Sequence, residues 1–268
     1  MNGHRLSCLA SLVLAAALCA SPAAAQPADT GIVPSPCASL KTPDQMPWPQ
    51  WQAYLFAHDF GQLCHYRAQN DALRAGHSAA PRVVFMGDSI TEFWGQQHPA
   101  FFGDGKLDRG ISAQTTAQML LRFRQDVIDL QPQAVHILAG TNDVAGNTGP
   151  STLAQVEGNI ASMAELAQAH HIQVILGSVL PAARFPWRPG LRMGDTIATL
   201  NAWIKSYAQR HGYTYVDYHS VMATPEGAMK PELSEDGVHP TRQGYAVMEP
   251  LTEAAIRQAL GKPAADAR

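Results

Sequence analysis

Short segments of this 268-residue chain carry the residue types that acyl transfer requires. Ser89 lies in the run Gly87-Asp88-Ser89-Ile90, directly after an apolar stretch. A neutral serine hydroxyl is a weak nucleophile and needs a base to take its proton. His239 is the candidate base, because it alone of the eleven histidines lies three residues after an aspartate in a loop flanked by glycine and proline. Asp236 is placed to orient its imidazole.

Donors for a developing oxyanion are also present. The backbone N–H groups after a glycine turn at Ser89, the N–H of Gly110 and the carboxamide of Asn142 are all candidates. Each residue also has a structural interpretation: Ser89 as a helix cap, Asp236 as a turn cap, Asn142 in a local turn bond, and Gly110 as a turn glycine. The combination of these segments favours catalysis over four unrelated structural roles.

Apolar periodicity predicts the elements that must position these residues. The pattern indicates strands at 83–86, 107–109, 134–139, 174–176 and 213–216. Helices are predicted at 51–75, 116–130, 151–169, 197–210 and 241–260, the first divided at Gly61 and the last kinked or broken at Pro250. Alternating strands and helices predict an α/β fold with a parallel sheet and helices on both faces. The candidate residues follow successive strands, at the sheet edge where ligands bind.

Four blocks resemble the SGNH, or GDSL-type, esterase and lipase superfamily across residues 80–260. They are Gly87-Asp88-Ser89-Ile90, Arg109-Gly110-Ile111-Ser112, Gly140-Thr141-Asn142-Asp143 and Asp236-Gly237-Val238-His239-Pro240. The resemblance implies a flavodoxin-like three-layer α/β/α sandwich and hydrolysis without metal or cofactor. It implies Ser89 as nucleophile, Asp236 and His239 as its partners, and an oxyanion hole of the Ser89 and Gly110 amides with the Asn142 side chain.

Further residues are candidates for binding substrate: Asp88, Trp94, Asp143, Phe185, Trp187 and Arg188. Each has a structural alternative. Asp88 suits a turn, Asp143 could hold its loop, Trp94 could belong to the core, and the loop at 185–189 could simply be packed. His136 is expected to be a core histidine with its hydrogen bonds satisfied.

Residues 1–25 have the pattern of a secretory signal peptide, with Arg5, an apolar run and a small-residue cleavage site. An uncleaved anchor is the alternative; a lipoprotein signal at Cys19 is disfavoured by the bulky Leu18. We expect a leader and helix at 26–80 and a hydrolase domain at 81–268. Export favours a Cys37–Cys64 disulfide, with two separate buried thiols as the alternative. No cysteine or histidine grouping has metal-ligand spacing.

The chain has a formal net charge of −3 and contains no cluster of basic residues. Nucleic acid is therefore not expected as a partner. No later segment is long and apolar enough to span a bilayer. The sequence therefore predicts an exported serine esterase for short acyl esters, with an acetylated glycan as the leading substrate. A lysophospholipase or thioesterase with the same residues, and an inactive hydrolase fold that binds a glycan or partner, are the alternatives. Oligomeric state is not predicted.

Overall fold

The computed structural model describes residues 36–76, 82–191 and 193–261. The predicted signal peptide lies outside these residues. The compact unit that carries the sheet begins at Leu40. Of the unit before it, the described part is a short 3-10 helix, Pro36–Ser39. Cys37 and Cys64 are both disulfide-bonded.

The described part of the unit from Leu40 onwards contains five strands, nine α-helices and three short 3-10 helices. The strands are β1 (Val83–Gly87), β2 (Lys106–Gly110), β3 (Ala134–Leu138), β4 (Gln173–Gly177) and β5 (Thr214–Val216). The helices are α1 (Trp48–His58), α2 (Arg67–Ala75), α3 (Ser89–Gln97), α4 (Thr116–Asp126), α5 (Thr141–Val144), α6 (Leu153–Ala169), α7 (Gly194–His211), α8 (Tyr218–Met222) and α9 (Arg242–Leu260).

The strands form one parallel sheet in the order β2-β1-β3-β4-β5. This confirms the predicted α/β class. Every residue of β1 is buried, as expected for a central strand covered on both faces. Because all strands run the same way, the carboxyl ends of β1, β2 and β3 meet at one edge of the sheet.

Successive side chains of a strand point to opposite faces of the sheet, so the core has two layers, one on each face. Val84 and Met86 of β1 face a cluster that includes Met119 of α4 and residues of α6 and α7. Val83 and Phe85 face the opposite cluster, which includes Trp94 of α3 and residues of α8 and α9. Helices therefore cover both faces, as in a three-layer sandwich.

One local prediction is narrowed by the structure, and one element was not predicted. Of the kink or break predicted at Pro250, the break does not occur, because apolar residues on both sides of the proline hold α9 in the core as a single helix. Residues 89–97, which the sequence analysis did not assign to an element, form helix α3 directly after β1. In the described part of the chain, no helix combines the length and apolarity that crossing a membrane requires.

Candidate active site

Ser89 is held where β1 turns into α3. Asp88 caps the helix, its Oδ1 accepting the Ile90 N–H at 2.9 Å. The turn needs a glycine before it, because a Cβ on Gly87 would lie 2.0 Å from the Thr91 Oγ1. As the first residue of α3, Ser89 has a backbone N–H without an intrahelical acceptor, so this N–H is available to a ligand.

His239 and Asp236 lie in the loop before α9 and face Ser89. The Ser89 Oγ is 2.9 Å from the His239 Nε2, and the His239 Nδ1 is 2.7 Å from the Asp236 Oδ2. The other oxygen of Asp236 accepts the backbone N–H groups of Val238 and His239 at 2.9 and 2.8 Å. Partial burial acts to raise the pKa of Asp236, but the hydrogen bonds from His239 and Val238 outweigh it and hold the pKa below its ordinary value.

This chain of contacts can move a proton from the serine to the imidazole. The Asp236 carboxylate is ionised and fixed at two oxygens, so it can hold one ring orientation and stabilise an imidazolium. The structure thus brings together the three residues predicted to act as nucleophile, base and orienting acid.

Asn142 lies in α5 after β3 and lines the same cleft. Its Nδ2 donates to the Asp88 Oδ2 at 3.1 Å and to the Gln114 carbonyl at 3.0 Å. Its Oδ1 accepts from the Asn147 Nδ2 at 2.7 Å. Asn142 is therefore tied to the residue before the nucleophile as well as facing the cleft. Burial raises the pKa of Asp88 to about 6, against the lowering effect of the Ile90 N–H.

Gly110 has a different role from the predicted oxyanion donor. Its N–H donates to the Asp108 Oδ1 at 2.7 Å, and Gly110 is not among the described residues that line the cleft. A Cβ on Gly110 would lie 2.2 Å from the Glu92 backbone nitrogen. This glycine therefore allows α3, which carries the nucleophile, to pack closely against β2.

Ala113 takes the place at the cleft that was predicted for Gly110. It lines the cleft beside Ser89 and Asn142, and in the described structure no acceptor bonds its N–H. Its φ of 66° is left-handed, which costs an alanine about 1–2 kcal/mol. The loop is fixed by Glu92, which accepts the Ser112 N–H at 2.8 Å. An alanine gives no sequence signal for this backbone conformation.

The cleft has a volume of about 640 Å³. The described residues that line it are Trp48, Gln52, Ser89, Phe93, Ser112, Ala113, Asn142, Asn147, Trp187, Arg188 and His239. Two of the predicted substrate-binding residues, Trp187 and Arg188, are among them. Arg188 is anchored by its Nε to the Ala145 carbonyl at 3.0 Å. In the parts of the chain that the structure describes, no group of three or more His, Cys, Asp or Glu side chains could hold a metal ion.

The other predicted substrate-binding residues have structural roles. Trp94 and Phe185 are buried in the core, and Trp94 stacks on Phe101 with ring centroids 4.7 Å apart. Asp143 faces α4 and accepts the Thr116 N–H at 2.9 Å and its hydroxyl at 2.6 Å. Asp88 is buried beneath the nucleophile. These side chains hold the loops of the site, and the cleft is lined by other residues.

A buried polar network, absent from the sequence predictions, lies beneath the site. Arg122 donates to the carbonyls of Gly87 and Arg109 at 3.0 and 2.9 Å and pairs with Asp126 at 3.0 Å. Asn70 of α2 donates to Asp126 at 2.6 Å and accepts from Arg109 at 2.6 Å. The strand end that leads to Ser89 is thus braced by α4 and α2.

Comparison with known proteins places this arrangement in a family. A family model described as GDSL-like lipase/acylhydrolase matches residues 85–247, which contain Ser89, Asn142, Asp236 and His239. The chain belongs to the GDSL-like lipase/acylhydrolase family. Membership in this family supports hydrolase activity and confirms the resemblance seen in the sequence blocks.

Two solved structures and one curated relative resemble this family member. A GDSL-like lipase from Bacteroides thetaiotaomicron VPI-5482 is 48% identical, with a TM-score of 0.71, covering 75% of this chain and all of that one. A proposed acylhydrolase from Bacteroides fragilis NCTC 9343 is 48% identical, with a TM-score of 0.72, covering 75% and 99%. An uncharacterized lipoprotein of Bacillus subtilis (strain 168) is 37% identical over 78 residues, spanning 28% of this chain and only 32% of its own length.

Proposed function

We propose that the protein is an exported serine hydrolase that cleaves short-chain, acetyl-type carboxylic esters through an acyl-serine intermediate. The observation that carries this proposal is the hydrogen-bonded series from Ser89 through His239 to Asp236 at the wall of an open cleft. A nucleophile, its base and an orienting carboxylate in this geometry are the parts that acyl transfer requires.

In the proposed reaction, the Ser89 Oγ attacks the ester carbonyl carbon as its proton passes to the His239 Nε2. The negative charge on the carbonyl oxygen is met by the N–H groups of Ser89 and Ala113. Asn142 adds a third donor when its amide releases Asp88. The C–O bond to the alcohol then breaks, and His239 returns its proton to the leaving oxygen. Water attacks the acyl-serine by the same route and frees the acid and Ser89.

The lining of the cleft supports a short acyl group. None of the described residues that line it is leucine, isoleucine, valine or methionine. Burying a long acyl chain depends on apolar surface, at about 0.8 kcal/mol for each CH₂ group. The aromatic rings of the cleft supply apolar surface, but the described lining has no aliphatic side chain larger than that of Ala113, and we base the preference for short acyl groups on this lack of an aliphatic groove.

Export is supported by two observations. Residues 1–25 have the pattern of a secretory signal peptide. Cys37 and Cys64 are disulfide-bonded, and disulfides persist mainly in oxidising compartments. The lipoprotein name of the Bacillus subtilis relative is compatible with this placement. We propose a location in the periplasm or outside the cell.

The test is the initial rate of hydrolysis of p-nitrophenyl esters of increasing acyl length. We expect a maximum at acetyl, and a loss of several orders of magnitude in kcat in Ser89→Ala. Ser162→Ala is the matched control, because the Ser162 hydroxyl bonds the Gly158 carbonyl within α6. Unchanged turnover in Ser89→Ala refutes the serine mechanism, and a maximum at octanoyl favours the lysophospholipase or thioesterase alternative.

A further inference from the structure

Asn147 bonds Asn142 twice, once through its backbone and once through its side chain. The Asn147 backbone N–H donates to the Asn142 carbonyl at 3.0 Å, and the Asn147 Nδ2 donates to the Asn142 Oδ1 at 2.7 Å. Both residues line the cleft together with Ser89. Asn142 is the third donor of the proposed reaction, so a residue that holds its carboxamide can affect the chemistry without contacting the reacting atoms.

A bond from Trp187 fixes which amide atom of Asn147 faces Asn142. The Trp187 Nε1 donates to the Asn147 Oδ1 at 3.1 Å. An indole N–H is a donor only, so the Asn147 atom that meets it must be the oxygen. The NH₂ group of Asn147 then points the other way, toward Asn142, and the Asn142 atom that meets it must be an acceptor.

The opposite side of the Asn142 carboxamide requires the same direction. The Asn142 Nδ2 donates to the Gln114 carbonyl at 3.0 Å and to the Asp88 Oδ2 at 3.1 Å. A carbonyl oxygen is an acceptor only, so Asn142 must present its NH₂ group there. The hydrogen bonds from Trp187 through Asn147 to Asn142 therefore run in one direction, from a donor-only group to an acceptor-only group.

The bond from Asn147 becomes more important during the proposed reaction. The two hydrogens of the Asn142 Nδ2 are already used by Asp88 and Gln114, so the amide must release Asp88 in order to meet the oxyanion. One restraint on the NH₂ group is then lost, while the bond from Asn147 to the amide oxygen remains. Hydrogen bonds in a chain also polarise one another, so donation to the Asn142 Oδ1 makes its N–H groups better donors.

The loop that carries Trp187 also holds the backbone next to Asn147. The Arg188 Nε donates to the Ala145 carbonyl at 3.0 Å, and its guanidinium also donates to the Gly146 carbonyl. Gly146 has a φ of 68°, a left-handed conformation that glycine adopts without steric cost. These contacts place Asn147 before a substrate binds, which is what preorganised stabilisation of a charge requires.

We infer that Asn147 is a positioning residue that holds the Asn142 carboxamide in the orientation needed for donation to the oxyanion, and that the Trp187 indole N–H sets the direction of this hold. The inference rests on the proposed function, because it concerns an oxyanion donor of the same reaction. Asn147 acts through Asn142, and the loop of Trp187 thereby supports the chemistry.

The experiment measures kcat and KM on p-nitrophenyl acetate in a double-mutant cycle of Asn142→Ala and Asn147→Ala. Removal of the donor itself in Asn142→Ala should lower kcat about 10²–10³-fold. Asn147→Ala should lower kcat about tenfold, the effect of losing one hydrogen bond, with KM close to the wild-type value. In the Asn142→Ala background, Asn147→Ala should have almost no further effect, because the amide through which it acts is gone.

Trp187→Phe tests the direction of the hydrogen bonds separately. It keeps an aromatic ring next to His239 but removes the N–H that fixes the Asn147 amide. We expect kcat to fall about three- to fivefold, again only when Asn142 is present. The urea midpoint of unfolding is measured for every variant. If Asn147→Ala does not fold, Trp187→Phe with and without Asn142→Ala decides the question.

Thr148→Ala is the matched control, because Thr148 is the next residue of the same loop and its hydroxyl donates to the Thr115 Oγ1. It should keep the wild-type kcat and KM. The inference is overturned if Asn142→Ala or Asn147→Ala keeps the wild-type kcat, or if the full effect of Asn147→Ala persists in the Asn142→Ala background.

A rise in KM alone in Asn147→Ala also overturns the inference, because it would make Asn147 a contact of the substrate. In all of these cases, Ser89-dependent cleavage by the wild type leaves the proposed function standing. If the wild type cleaves no p-nitrophenyl ester, the proposed function fails and the positioning role fails with it.

Discussion

Replacing Gly110 with alanine tests whether this glycine is needed as an N–H donor or for the close packing of α3 against β2. If Gly110 mattered only as an N–H donor, alanine would preserve activity, because alanine keeps the N–H. The structure predicts the opposite. A Cβ at this position would lie 2.2 Å from the Glu92 nitrogen and 2.7 Å from the Asp88 carbonyl oxygen, and both are backbone atoms.

These distances give the displacement of α3 that an alanine at position 110 would require. Real Cβ contacts are essentially never shorter than 3.0 Å, so the start of α3 must move by about 0.8 Å relative to β2. Ser89 is the first residue of that helix and would move with it. Misplacing a reacting group by about 1 Å can lower the rate about 10²-fold, and overpacking a core typically costs about 1–3 kcal/mol in stability.

We therefore expect Gly110→Ala to lower kcat/KM on p-nitrophenyl acetate about 10²-fold and to lower the urea midpoint of unfolding. Gly158→Ala is the control, because a Cβ there meets nothing within 4 Å and the site lies on an exposed face of α6. It should keep full activity and gain about 0.5–1 kcal/mol in stability. A Gly110→Ala enzyme within twofold of wild type in activity, with unchanged stability, refutes the steric argument.

Other substitutions test the carboxylates and the buried network. Arg122→Met leaves Asp126 buried without its cation, and we expect a loss of about 3–5 kcal/mol in the free energy of unfolding, measured with urea. Burial raises the pKa of Asp108 to about 7 from 3.8, so its contribution to stability is complete below pH 3.8 and is lost as the pH rises to about 7. Asp108→Asn should therefore reduce the fall in unfolding free energy between about pH 4 and pH 8, by up to about 4 kcal/mol. Asp236→Asn should lower kcat about 10⁴-fold in steady-state assays, because an amide cannot stabilise the His239 imidazolium.

Each of these expectations has a contrary result. Arg122→Met with wild-type stability would mean that the buried pair contributes no more than an apolar side chain. A pH dependence of unfolding that is the same in Asp108→Asn and wild type would show that this carboxyl is ionised in the folded protein at neutral pH. A kcat reduced less than tenfold in Asp236→Asn would remove Asp236 from the proposed mechanism.

The parallel sheet and the contacts among Ser89, His239 and Asp236 could be predicted from the sequence because both depend on local patterns. A fully apolar run such as β1 indicates a buried parallel strand, and a residue after it lies at the ligand-binding edge. Ser89 and His239 could therefore be placed near one another from strand order and loop position. Asp236 is only three residues from His239, so their contact is also local.

Contacts that depend on tertiary packing were not predictable in this way. The proposed use of the Ala113 N–H in place of that of Gly110 depends on a left-handed alanine, a conformation that no residue pattern predicts. Arg122 and Asn70 are polar residues in helices, where the default expectation is a solvated face. Their burial is visible only when α2, α4 and β2 are brought together.

The buried network also bears on where the catalytic domain begins. Asn70 connects Arg109 and Asp126, and all three residues are at most 1% exposed. A chain starting at residue 81, the predicted start of the hydrolase domain, would lack the Asn70 amide that lies between Arg109 and Asp126. Buried polar groups left without a partner cost about 1–3 kcal/mol each. We therefore expect the stable folding unit to include α2.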